Sequence, residues 1–114
     1  MTSTPDTPGA IEAIDRILNR GGDADEVLLA VLAALHERGV AFARIRFVEG
    51  GDLVDGPAVG DAADAVSVPI VYERARVGEL ELATGDVAFA ERIAALISPY
   101  VLVGWDTAGK PWSP

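Results

Sequence analysis

FARIRFVE (Phe42–Glu49) and VGELELA (Val77–Ala83) alternate apolar and charged residues with a period of two. Successive side chains of a β-strand point to opposite faces. Arg44 and Arg46 therefore fall on one side of one strand, and Glu79 and Glu81 on one side of another. Ala43, Ile45 and Phe47, with Leu80 and Leu82, take the opposite side. The pattern predicts a half-buried sheet, with one face in the core and the other charged.

Helices are expected before and after these strands. Thr7-Pro8 supplies a cap and a first helical position, Ile11, Ile14, Ile17 and Leu18 follow at helical spacing, and Gly21-Gly22 stop the run. Asp23 and Glu26 stand in capping-box spacing ahead of VLLAVLAALHER, which predicts a second helix over about 24–38, closed by Gly39. That helix is apolar almost all round, so it needs cover on more than one side.

Gly50-Gly51-Asp52 reads as a turn, Leu53–Ala58 as a weaker returning strand, and 55–65 (DGPAVGDAADA) as a short acidic loop. Val66, Val68, Ile70 and Tyr72 alternate in a third strand, which Pro69 marks as an edge or bulged strand. Glu73–Arg76 is a turn and Val77–Thr84 a fourth strand. Asp86 caps a last helix whose stripes are Phe89, Ile93, Leu96, Tyr100 and Ala90, Ala94, Ile97, Val101. Pro99 removes a backbone donor, so the helix is expected to kink or end near Ser98. Residues 1–8 read as disordered, 9–104 as one α+β domain, and 105–114 as an irregular tail carrying Trp105 and Trp112.

Composition narrows the function classes. The 114 residues include no cysteine, which removes disulfides, thiolate metal sites and thiol nucleophiles. Eighteen acids against nine bases give a net charge of −9, with no basic run, which disfavours nucleic acid and anionic lipid. MTSTPDTPG has neither a cationic region nor an apolar stretch, so it does not read as a signal peptide, and no apolar run reaches the ~18–20 residues of a membrane span. The expectation is a cytoplasmic domain.

LLAVLAALHERGVAFARIRFV (29–48) and VPIVYERARVGELELATGDVAFAERIAALIS (68–98) resemble a GAF domain. The first stretch is similar to the family's helix-to-strand entry. The second is similar to its closing pattern: a "VPI" strand, a short turn, a "GxLxL" strand and an amphipathic helix. The resemblance implies a GAF/PAS-like α+β fold, with an antiparallel sheet of four to five strands in the order 2-1-4-3 and helices on one face. It also implies a small-molecule pocket on the other face, roofed by a long segment between the second and third strands. This chain departs from the family there, because only 55–65 is available as a roof. The Asn-Lys-Phe-Asp-Glu signature of cyclic-nucleotide binders is absent. With no Cys, and its one His on the second helix, the chain also lacks the bilin and haem attachments and the methionine-sulfoxide chemistry of other members.

Candidate sites follow. Arg44, Arg46, Glu79 and Glu81 either hold an anionic ligand or pair across strands on a solvated face. His36 lacks an orienter and a nucleophile within reach, since Glu37 points elsewhere on the helix. Asp52, Asp55, Asp61 and Asp64 lack the spacing of a calcium loop. No metal, cofactor or enzymatic constellation is read, because nothing supplies a nucleophile, a base and an orienter together. By resemblance, GAF domains pair through their terminal helices. A homodimer through Ile11, Ile14, Leu18, Ile93, Ile97, Tyr100, Val101 and Trp105 is expected to bury the surplus apolar stripes. A partner protein on the helical face or the Trp105/Trp112 tail is the related expectation. No output domain is read, so a signal is expected to leave through such a partner.

Overall fold

A computed structural model describes residues 7–61 and 64–103. The elements in chain order are α1 (Thr7–Arg20), α2 (Ala24–Glu37), β1 (Phe42–Glu49), β2 (Asp52–Gly60), β3 (Val66–Tyr72), β4 (Ala75–Leu82) and α3 (Val87–Val103). The chain is thus α+β, with a four-stranded antiparallel sheet in the order β2-β1-β4-β3.

Two tight turns set the sheet's register. Gly50 and Gly51 both take positive φ, 59° and 88°, as a two-residue hairpin turn demands. The pairing then runs Glu49↔Asp52, Val48↔Leu53, Phe47↔Val54, Arg46↔Asp55. Beyond Asp55 the register shifts, and Arg44 faces Ala58. Gly56 and Pro57 together span the place of Ile45 on β1, which makes a β-bulge. A side chain at Gly56 would lie 2.6 Å from the Ile45 carbonyl oxygen, so only glycine fits. The bulge restores inward direction to Val59, which packs against the core.

β2 therefore extends to Gly60 rather than stopping at Ala58, so residues 55–60 of the expected acidic loop lie in the strand. The second hairpin is also tighter than expected. Glu73 and Arg74 alone make the turn, so β4 begins at Ala75 and ends at Leu82. Both residues sit in the left-handed region, at φ 49° and 71°.

Ala43, Ile45, Phe47, Val68, Ile70, Leu80 and Leu82 form one sheet face, and all are buried with residues of the three helices in a single cluster. α3 lies over β3 and β4, α2 over β1 and β2, and α1 packs on α2. The sheet, α1 and α3 of the same chain thereby cover Val27, Leu28, Val31, Leu32, Ala34 and Leu35 of α2, and leave Leu29 half-exposed. Gly78 marks the closest approach of α3: a Cβ there would lie 2.3 Å from the Arg46 carbonyl oxygen and 2.9 Å from Val101 Cγ1.

Helix ends follow their local chemistry, with two departures from expectation. Asp86 caps α3 as anticipated, its Oδ1 accepting from the Phe89 N–H at 3.0 Å. Asp23 occupies the N-cap of α2 but makes no side-chain cap bond, so the capping box is not formed. α3 does not end at Ser98 but continues through Pro99 to Val103. The proline leaves the Ala95 carbonyl without its usual N–H donor, and the Ser98 hydroxyl donates to that oxygen instead, at 2.9 Å.

Replacing the strained turn by one suited to positive φ should stabilise the chain. The pair Glu73→Asn, Arg74→Gly puts a residue that tolerates the left-handed region and a glycine in place of two that disfavour it, on an exposed turn. It should raise the urea-unfolding free energy by about 0.5–1 kcal/mol.

Candidate functional site

The outer face of the sheet brings the four charged residues together. Arg44 is directly across from Glu81, and Arg46 from Glu79, on the neighbouring strands β1 and β4. Arg44 holds Glu81 tightly, with both its Nε and its Nη2 2.6 Å from Oε1. Arg46 lies between three carboxylates: its Nε is 3.0 Å from Asp55 Oδ1 and 3.6 Å from Glu81 Oε1, and its Nη1 is 3.9 Å from Glu79 Oε1. The Arg44 guanidinium also stands 5.8 Å from the centre of the Phe42 ring, within cation–π range.

Sequence reasoning missed two members of this cluster. Asp55, which falls in both the expected strand Leu53–Ala58 and the expected loop 55–65, sits in β2 beside Arg46 and also lies 3.8 Å from Arg44 Nη1. Arg76, read in a turn, donates from Nη2 to Glu79 Oε2 at 2.7 Å. The Asp55 contact was recoverable: a two-residue turn at Gly50-Gly51 places Asp55 across from Arg46 by counting alone. Arg76 depends on β4 starting early, which no residue type announced.

With Asp55 and Arg76 included, three guanidinium groups face three carboxylates, so the cluster is formally neutral. The Arg44 guanidinium is held above its ordinary pKa, chiefly by its hydrogen bond to Glu81 and against some desolvation. It is charged throughout the pH range in which proteins remain folded. The Glu79 and Glu81 side chains are only 17% exposed on this face, because the arginines lie over them. One donor stays unused: the Arg46 Nε–H is buried and aligned with no acceptor, although the Asp55 oxygen is close.

The remaining candidates disperse. His36 Nδ1 lies 3.0 Å from the Val40 carbonyl oxygen. That oxygen only accepts, so Nδ1 carries the proton, and the ring ties the chain leaving α2 back to the helix end. Asp52, Asp61 and Asp64 are exposed. Among the described residues no three His, Asp or Glu side chains gather closely enough to hold a metal ion, and no helix is long and apolar enough to cross a membrane.

The residues expected at a dimer interface divide into three groups. Ile14, Ile93, Ile97 and Val101 are buried in the chain's own core, so intramolecular packing occupies them. Ile11, Leu18 and Tyr100 are half-buried against that core. Trp105 and Trp112 lie outside the described residues.

Compared with models of protein families, curated proteins and solved structures, the chain finds no match. What it does must therefore be reasoned from its own surface.

Glu81→Ala removes the closest partner of Arg44 and leaves a guanidinium on a partly covered face. It should cost about 1 kcal/mol of stability in urea at low salt. The loss should shrink in 1 M NaCl as screening weakens what the wild-type pair contributes. Glu91→Ala, at an exposed site with no ion pair among the described residues, should change stability by less than ~0.5 kcal/mol.

Proposed function

We propose that this chain is a non-enzymatic, GAF-like interaction module that works as a homodimer through its terminal helices, passing its signal on by contact rather than by chemistry. The observation that carries this reading is where unsatisfied surface lies. The charged sheet face meets its own charges, arginine against carboxylate, and β2 and β3 are separated by only residues 61–65 in sequence. The outer surface of α3, by contrast, exposes Ala88, Ala95, Pro99 and Leu102, with Leu102 half-exposed at 51%. A leucine left open to water at the end of a small-residue stripe favours association.

The pairing surface in this reading is therefore the outer side of α3. The inward stripes through Ile93, Ile97 and Val101 serve the protomer. Sedimentation at micromolar concentration should give twice the 11.9 kDa chain mass. Leu102→Asp should return the chain mass itself with an unchanged circular-dichroism spectrum. Wild-type sedimentation at the single-chain mass would remove the dimer reading.

One observation favours a second reading, a small-molecule module holding an anion at Arg44 and Arg46. The idle Arg46 Nε–H is a donor in search of an acceptor. Against it stand three carboxylates within 4 Å of the two guanidinium groups, which an incoming anion would have to displace. Phosphate, citrate and adenosine monophosphate at 5 mM should accordingly leave the melting temperature within about 1 °C of the free protein. A larger rise that Arg46→Ala abolishes would install the anion site instead.

A further inference from the structure

α3 carries more than an apolar stripe: its two flanks are complementary to each other. Ala88, Ala95 and Leu102 recur every seven residues and are all exposed. At about 100° per residue they mark one line along the helix, with Pro99 beside it. On the same wheel Glu91 and Arg92 fall roughly 50° to either side of that line. Both are exposed, and among the described residues neither makes an ion pair. Glu91 therefore stands on one flank and Arg92 on the other, at almost the same height on the helix.

The shapes match as the charges do. On the Arg92 flank an open groove of about 580 Å³ runs between α3 and α1, floored by Ile11 and Phe89. On the Glu91 flank stands Val87, 48% exposed. One side of the stripe offers a hollow with a free cation, and the other a projecting apolar side chain with a free anion. Glu12 and Asp86 also face the groove; neither forms an ion pair with Arg92, and Asp86 is engaged in capping α3.

This arrangement discriminates between the two ways of pairing α3 with its own copy. A two-fold axis perpendicular to the helices gives an antiparallel pair, and it sets each flank against the same flank of the partner, so that Glu91 never faces Arg92. A two-fold axis parallel to the helices sets each flank against the opposite one, so the Glu91 side meets the Arg92 side twice. Resting on the dimer reading above, we infer that the occupant of this face is a second copy of the chain, its α3 parallel to the first. Ala88 and Ala95 form the seam, Glu91 of each copy meets Arg92 of the other, and Val87 enters the opposite groove. Alanines at the seam allow the helix axes to approach closely, and flanking opposite charges select partner direction.

The chain has no cysteine, so a single introduced thiol reports one contact. In a parallel pair every seam residue meets its own copy, within the ~4.4–6.8 Å Cα separation a disulfide spans. Ala88→Cys and Ala95→Cys should therefore each give a covalent dimer under mild oxidation, while Ala33→Cys, exposed on α2, should not. Crosslinking at Ala95 without Ala88 would mean an antiparallel pair and overturn the inference. A dimer in sedimentation that crosslinks at neither position would overturn it while leaving the dimer reading intact, and a monomer would overturn both. Glu91→Arg alone should weaken association at least tenfold, and adding Arg92→Glu should restore it. A double variant as weak as the single one would count against the parallel pairing of flanks.

Discussion

The alignment of β1 with β4 is the constraint on which the rest of the structure depends. Ile45 faces Leu80 inside, while Arg44 faces Glu81 and Arg46 faces Glu79 outside. A slip of one residue in either strand would turn its entire inward set to water and drive two charged side chains into the core. Burying an unpaired guanidinium or carboxylate costs several kcal/mol, whereas the exposed pairs themselves contribute about 0.2–1 kcal/mol each. The charges outside therefore act less by attraction than by forbidding the wrong register. Everything downstream uses that alignment: Gly78 lies across from Phe47 on β1, and its missing side chain lets Val101 of α3 settle against the sheet.

The helices complete a core that a single chain can close. α2 is apolar on nearly every side, and most of it finds cover, from the sheet beneath, α3 beside it and α1 outside, while Leu29 and Ala33 stay exposed. α3 buries Phe89, Ala90, Ile93, Ala94, Ile97 and Val101 along a broad inward arc. Keeping that arc continuous requires the helix to pass Pro99, where a carbonyl loses its donor. The Ser98 hydroxyl supplies a replacement bond, so the last turn retains Val101 in the core.

How much of this was legible in the sequence depends on which physical signal carried it. Period-two alternation named the inward and outward residues of β1 and β4 correctly, because it reports burial directly. The tight Gly50-Gly51 turn implied the Arg46–Asp55 pairing, and only the assignment of 55–65 to a loop hid it. The Gly56-Pro57 bulge could not be counted from sequence. It shifts the β2 register beyond Asp55, and its cause is a steric fit between Gly56 and the β1 backbone that exists only once the strands are paired. The early start of β4 rests on Glu73 and Arg74 accepting a left-handed backbone that their residue types disfavour. α3 does not end near Ser98, because the carbonyl that Pro99 orphans is satisfied by a neighbouring hydroxyl.

The expected dimer residues show a different kind of error. Apolar periodicity identifies what is buried but does not say against what, and Ile14, Ile93, Ile97 and Val101 all turn out to serve the chain's own core. A surface meant for another molecule must stay tolerable to water in the free chain, so it is built from smaller or more scattered groups. Ala88, Ala95 and Leu102, flanked by one acid and one base, have that character. The pattern was present in the sequence at a spacing of seven, masked by the stronger stripes on the other side of the same helix. In a small α+β domain whose sheet charges balance one another, the weaker stripe on α3 is the better place to look for function, because the core leaves it unused.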